Sequence, residues 1–209
     1  MSRLGKAVAT LLVGAAAASP LQAQAYLPFG PQTNVSLSTV LSGGWSLCYS
    51  ALMATPFGTS AAETLANCSA GDRVMLAGRE TGSETLLVLA QTTKADAFAN
   101  TGASDNGLFT TSNGADWFYA DSWSWGFKPV GEPFTKFQCS FTAPDGSMCV
   151  HTLDFVGGFS INSIIGLNES EDYEKLVFVY SGGAQVPEPA SLALLALGLA
   201  GLGLGRRAV

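Results

Sequence analysis

Along most of this chain the apolar residues come in short runs, interrupted every few positions by Gly, Asn, Asp, Ser or Pro. That punctuation permits strands and leaves little room for long helices. The clearest pair lies at 72–80, containing Arg73-Val74-Met75-Leu76-Ala77, and at 84–91, containing Thr85 to Ala90. Thr81-Gly82-Ser83 between them reads as a short hairpin loop. Further strands are expected at 35–41, 45–49, 117–120, 123–127, 136–141, 149–155 and 176–180. Strands of this length and spacing predict a mainly β domain, a single sandwich or jelly-roll-like fold. One short helix is expected at 60–67. Ser60 would be its N-cap, and Glu63 three residues on would complete a capping box.

The cysteines add cross-links to that scheme. Cys48, Cys68, Cys139 and Cys149 are an even set, and in an oxidising compartment they predict two disulfides. Three connectivities are possible. The near-neighbour pairing Cys48–Cys68 and Cys139–Cys149 is favoured, the second tying a hairpin around the turn signal Ala143-Pro144-Asp145-Gly146. A zinc site is disfavoured, because no C-x-x-C spacing occurs and His151 is the only histidine. No metal or cofactor is expected.

Charge is distributed unevenly. Residues 1–25 carry only Arg3 and Lys6, and residues 187–209 only Glu188, Arg206 and Arg207. The stretch between holds 6 Lys+Arg against 15 Asp+Glu, a net charge of −9. An acidic surface repels phosphate backbones, so nucleic acid is not an expected partner.

Residues 1–25 have the three parts of a signal peptide: a basic start, an apolar stretch over 7–18, and small residues at Ala23 and Ala25 before the expected cut. They predict the Sec translocon and signal peptidase as partners. At the other end, Val186-Pro187-Glu188-Pro189 precedes the uncharged residues 190–205 and the pair Arg206-Arg207. A helix over 190–205 would span about 24 Å, against a hydrocarbon core of about 30 Å. The arginines would hold its end in the cytoplasm, leaving the domain outside. These residues resemble the PEP-CTERM sorting signal. The resemblance implies processing by an exosortase at the inner membrane, an association with exopolysaccharide, and a final place at the cell surface or outside the cell. The expected organisation is therefore a signal peptide at 1–25, a secreted β-rich domain at 26–185, and a sorting signal with a transmembrane helix at 186–209.

Within the domain, Gly44-Trp45-Ser46-Leu47-Cys48-Tyr49, Val74 to Arg79, Trp123-Ser124-Trp125-Gly126-Phe127 and Cys149-Val150-His151-Thr152 resemble an extracellular domain of unassigned activity found in scattered secreted proteins. The resemblance implies one secreted β-rich module and no chemistry.

Candidate sites are few. Alternation puts Trp123, Trp125 and Phe127 on one strand face, where an exposed row would stack on sugar rings and a buried one would fill the core. Asp116 and Asp121 flank them, either to bond sugar hydroxyls or to sit in turns. His151, with Asp154 nearby, is the only ordinary neutral-pH proton carrier, yet no serine elbow or other catalytic constellation accompanies it. Asp105-Asn106-Gly107 and Asn168 to Asp172 supply oxygen atoms but fit no calcium loop. The expected function is that of an exported, exosortase-sorted surface or extracellular-matrix protein, non-catalytic and associated with exopolysaccharide. The alternative is a secreted carbohydrate-binding module or a hydrolase acting on matrix polysaccharide.

Overall fold

A strand with apolar residues on both faces must be covered on both, and several strands here have that composition. In the computed structural model, which describes residues 24–182 except 137, 138 and 140–142, this requirement is met by two stacked sheets with a further cover on each outer side. Ala23, Val186, Pro187, Glu188, Pro189, Arg206 and Arg207, and with them the expected leader and sorting tail, lie outside the described residues. Among the described residues no helix is long and apolar enough to cross a membrane.

The elements run β1 (Gln32–Ser36), α1 (Leu37–Ser42), β2 (Trp45–Leu52), α2 (Ala61–Thr64), a 3-10 turn at Ala66–Cys68, β3 (Arg73–Glu80), β4 (Thr85–Thr93), α3 (Lys94–Ala97), β5 (Thr110–Ser112), β6 (Ala115–Ala120), β7 (Ser124–Pro129), β8 (Met148–His151), β9 (Gly158–Ile161) and β10 (Tyr173–Tyr180). One sheet has the order β1-β4-β3-β10-β2, the other β5-β6-β7-β8-β9, and all pairings between strands are antiparallel. The second sheet is a plain meander inserted between β4 and β10. The last strand then returns to the interior of the first sheet. This is the sandwich alternative of the expected fold class, not the jelly-roll one.

Alternation sorts the side chains. Val74 and Leu76 of β3, Trp117 of β6, Trp125 and Phe127 of β7, Met148 and Val150 of β8, and Val177 and Val179 of β10 meet in the layer between the sheets. The sheets approach closely where β3 faces β9: a Cβ on Gly78 would stand 2.6 Å from the Ile161 side chain. Met75, Ala77, Leu176 and Phe178 point the other way and are covered by Val40 of α1, Trp45 and Tyr26. Phe118 and Cys149 on the outer face of the meander are covered by Cys139, Phe109 and Phe134.

The strands at 45–49, 72–80, 84–91, 117–120 and 176–180 are present with small shifts of boundary. Three expectations are corrected. Residues 35–41 do not form one strand: β1 ends at Ser36, whose hydroxyl accepts from Thr39 N–H and caps α1. Lys136 and Cys139 sit in turns and not on the expected strand, of which residues 137, 138, 140 and 141 lie outside the described residues. At the expected helix Ser60 precedes α2 without a side-chain cap, and α1 and α3 are additional short helices.

Candidate functional site

Both disulfides have the near-neighbour pairing: Cys48–Cys68 and Cys139–Cys149. The first ties β2 to the 3-10 turn, and the second fastens the turn at Cys139 to β8.

The aromatic row is divided between core and surface. Trp125 and Phe127 are fully buried between the sheets, and Trp123, just before β7, is partly exposed. The reason is that β7 is an inner strand of the meander, and its Trp face meets the first sheet. Trp125 stacks on Phe98 and donates its indole N–H to Ala97 O at 3.1 Å. Of the three residues of the possible sugar platform, Trp125 and Phe127 are therefore core, while Trp123 stands partly exposed apart from them.

The flanking acids separate into different roles. Asp116 pairs with Lys128 at 2.6 Å and accepts from the Thr111 hydroxyl at 2.5 Å. Burial raises its pKa, but these bonds outweigh that and hold it below the usual carboxylate value. His151 is buried and packs against the edge of Phe159; burial first, with the Lys175 charge adding to it, lowers its proton affinity. Asp154 is exposed. The Asp105-Asn106-Gly107 loop holds an ammonium group: buried Lys136 donates to Thr101 O at 3.0 Å, Asn106 Oδ1 at 2.6 Å and Leu108 O at 2.8 Å. No group of three or more candidate metal ligands occurs among the described residues.

Two features escaped sequence reading. Lys175, on the buried stretch of β10, donates to the carbonyls of Leu52, Met53 and Thr55 and lies 5.1 Å from the Phe57 ring centroid. Burial pushes its pKa down to about 7. The other is a pocket of about 550 Å³ at one end of the sandwich, lined among others by Ser60, Lys94, Phe98, Tyr119 and Asp121, with the Cys68 end of a disulfide in its wall.

Strand β6, the loop after it and α3 build much of the pocket wall. Strand β6 supplies Tyr119, whose hydroxyl donates to Asp121 just past the strand end. Burial first, and the neighbouring Asp121 second, push that hydroxyl up to about 12, so it remains a donor at any ordinary pH. The loop carrying Asp121 is fixed by Ser122 N–H to Thr59 O at 2.9 Å. Phe98, at the end of α3, is braced by Trp125 at 4.8 Å and meets Tyr119 edge-on at 5.4 Å. Lys94 begins α3 and donates to Ala70 O at 2.7 Å. Only Asp121 was singled out from the sequence as a candidate site residue; Ser60 and Cys68 entered there as a helix cap and a disulfide half. The rest come from segments far apart in the chain that carry no shared motif.

Outside the described residues, the segment 185–207 matches the PEP-CTERM protein-sorting motif. No curated protein and no solved structure matches the chain. A PEP-CTERM sorting motif is thus present near the C-terminus, and it implies an exosortase system, export and sorting to the cell surface.

Proposed function

We propose that this is a non-catalytic surface or extracellular-matrix protein that works in association with exopolysaccharide. It enters the Sec translocon by a signal peptide at 1–25, is cut by signal peptidase near Ala25, and is held in the inner membrane by the tail until an exosortase acts. The observation that carries the reading is the sorting motif at 185–207, following directly on a domain closed by two disulfides. Disulfides persist in an oxidising compartment, in agreement with an exported domain.

Two arrangements support a binding or structural role over a hydrolytic one. Polysaccharide hydrolysis by a carboxylate pair needs two acids facing one another across the scissile bond. Here the buried acids face cations instead: Asp116 meets Lys128, and Glu174 meets Arg79 at 3.1 Å. His151 is buried opposite Ser124 in the β7–β8 ladder, and that hydroxyl donates to Lys136 O at 3.1 Å.

Deleting residues 187–209 tests the sorting half, with cell fractions compared by immunoblot. The truncated protein is expected to leave the envelope fractions and accumulate as a periplasmic or shed species. Unchanged fractionation would defeat the sorting claim. Co-sedimentation of the full protein with the exopolysaccharide of its own cells tests the matrix half; a protein left wholly in the supernatant counts against it.

A further inference from the structure

We infer that the pocket at the Tyr119–Asp121 end of the sandwich is a binding site for a single neutral sugar ring. This deepens the matrix reading and rests on it for the origin of the sugar.

The volume, about 550 Å³, suits a small molecule. Its lining fixes the chemistry. Phe98 and Tyr119 bring aromatic surface that packs on the apolar C–H face of a pyranose, and Phe98 is held in place by Trp125 behind it. Around them stand hydroxyls from Ser60 and Ser69, the Asp121 carboxylate and the Lys94 ammonium. A purely apolar occupant would strip water from these groups and give nothing back, a cost a polyhydroxylated ring avoids.

Charge narrows the class further. The pocket has one acid and one base, so neither a uronic acid nor an amino sugar finds a net partner. Lys94 spends one of its three N–H donors on Ala70 O, and the Tyr119 hydroxyl is engaged with Asp121 Oδ1, which leaves Asp121 Oδ2 to accept from one sugar hydroxyl and Lys94 to donate to another. The surroundings act in the same direction: among the described residues, every charged side chain that is exposed is Asp or Glu. An anionic polymer would meet that field before it reached the pocket.

The test uses the full chain extracted from membranes, titrated by calorimetry with glucose, galactose and N-acetylglucosamine, and with glucuronate as the charged counterpart. At least one neutral sugar is expected to bind with one-to-one stoichiometry, with glucuronate at least about tenfold weaker. Asp121→Ala and Ser60→Ala change an exposed and a pocket-wall residue, and each should weaken binding about tenfold while the protein stays folded, with some loss of melting midpoint for Asp121→Ala, which removes the acceptor of the Tyr119 hydroxyl. Absence of binding by any neutral sugar overturns the proposal, as does equal binding of glucuronate or equal binding by both variants. Co-sedimentation separates the two levels of argument. If wild type and Asp121→Ala pellet equally with the exopolysaccharide, the matrix reading stands and the pocket fails as its contact. If wild type does not pellet while free sugar binds through Asp121, the matrix reading fails and the pocket stands.

Discussion

Lys175 is the residue under most tension. It is fully buried, and the three carbonyls of Leu52, Met53 and Thr55 call for three N–H donors that only the charged form supplies. Desolvation opposes that charge and wins, lowering the pKa from 10.5 to about 7. The unfolded chain therefore binds a proton that the folded one lacks between those two values. Stability must rise with pH across that window. Tyr49 and Tyr119 act oppositely, being raised from 10.0 to about 12, so their effect begins only above pH 10. Urea midpoints are accordingly expected to climb from pH 7 to 9.5, and Lys175→Met should flatten most of the climb. It should also cost about 1–3 kcal/mol for the carbonyls left without a donor. An equal climb in both proteins would place the effect elsewhere. The tryptophans make a second residue-scale test. Trp125→Ala empties a core site and should cost about 3–5 kcal/mol by denaturant melts, while Trp123→Ala, partly exposed, should cost far less. Periodicity placed Trp125 and Phe127 on one face correctly. Which face meets the other sheet depends on β7 being an inner strand, and no local pattern carries that. Lys175 was illegible for the same reason, since its three acceptors come from the β2 end more than a hundred positions away.

At the scale of elements, β10 is the piece on which the first sheet depends. It pairs with β2 on one side and β3 on the other, and Glu174 fastens all three. That carboxylate accepts from Gly82 N–H at 2.7 Å and the Ser50 hydroxyl at 2.8 Å, and pairs with Arg79. Burial alone would raise its pKa, but these partners together hold it below its ordinary 4.5. The sign is that of a depressed acid: stabilisation is complete above about 4.5 and fades as pH falls through the lower folded value. Glu174→Ala is expected to cost about 1.5–3 kcal/mol at neutral pH and to lose less on acidification than wild type, as read by thermal melts at pH 7 and pH 3.5. Equal losses on acidification would acquit Glu174. The disulfides form a graded pair: Cys48–Cys68 closes a separation of 20 residues and Cys139–Cys149 one of 10. Both removals are expected to cost about 2–4 kcal/mol, the longer loop slightly more. Sequence was a good guide to this scale where signals are local. The hairpin of β3 and β4 and the turn at Pro144 to Gly146 were legible, and so was the disulfide pairing. It misled at 35–41, where the apolar run continues but Ser36 caps a helix, and at Lys136, whose ammonium collects loop oxygens instead of joining a ladder.

Across the whole molecule the governing feature is how the charges are sorted. The domain has only six cationic side chains, and none of them is exposed. Arg79 and Lys128 are spent on buried carboxylates; Lys136 and Lys175 are enclosed by carbonyl and amide oxygens; Arg73 and Lys94 bond Gln91 and Ala70. The acids left over, such as Glu63, Glu80, Glu84, Asp154 and Glu171, face solvent without a basic side chain exposed among them. The composition announced an excess of negative charge, but not that three of the six cations would be buried and the other three half-buried. That depends on which lysines the fold buries. The consequence for a matrix protein is selective. Repulsion between like charges extends over about 10 Å at 0.1 M salt and about 30 Å at 0.01 M, so an anionic polymer is kept away most effectively in dilute buffer. A neutral polymer feels none of this. The full protein is therefore expected to show no co-sedimentation with a polyuronate at low salt, and at most weak association once salt screens the field. Its retention by a neutral exopolysaccharide should be nearly constant over the same range. Polyuronate binding that is strongest at low salt would mean an exposed cationic surface exists after all, and the arrangement of charges described here could not be the one that meets the matrix.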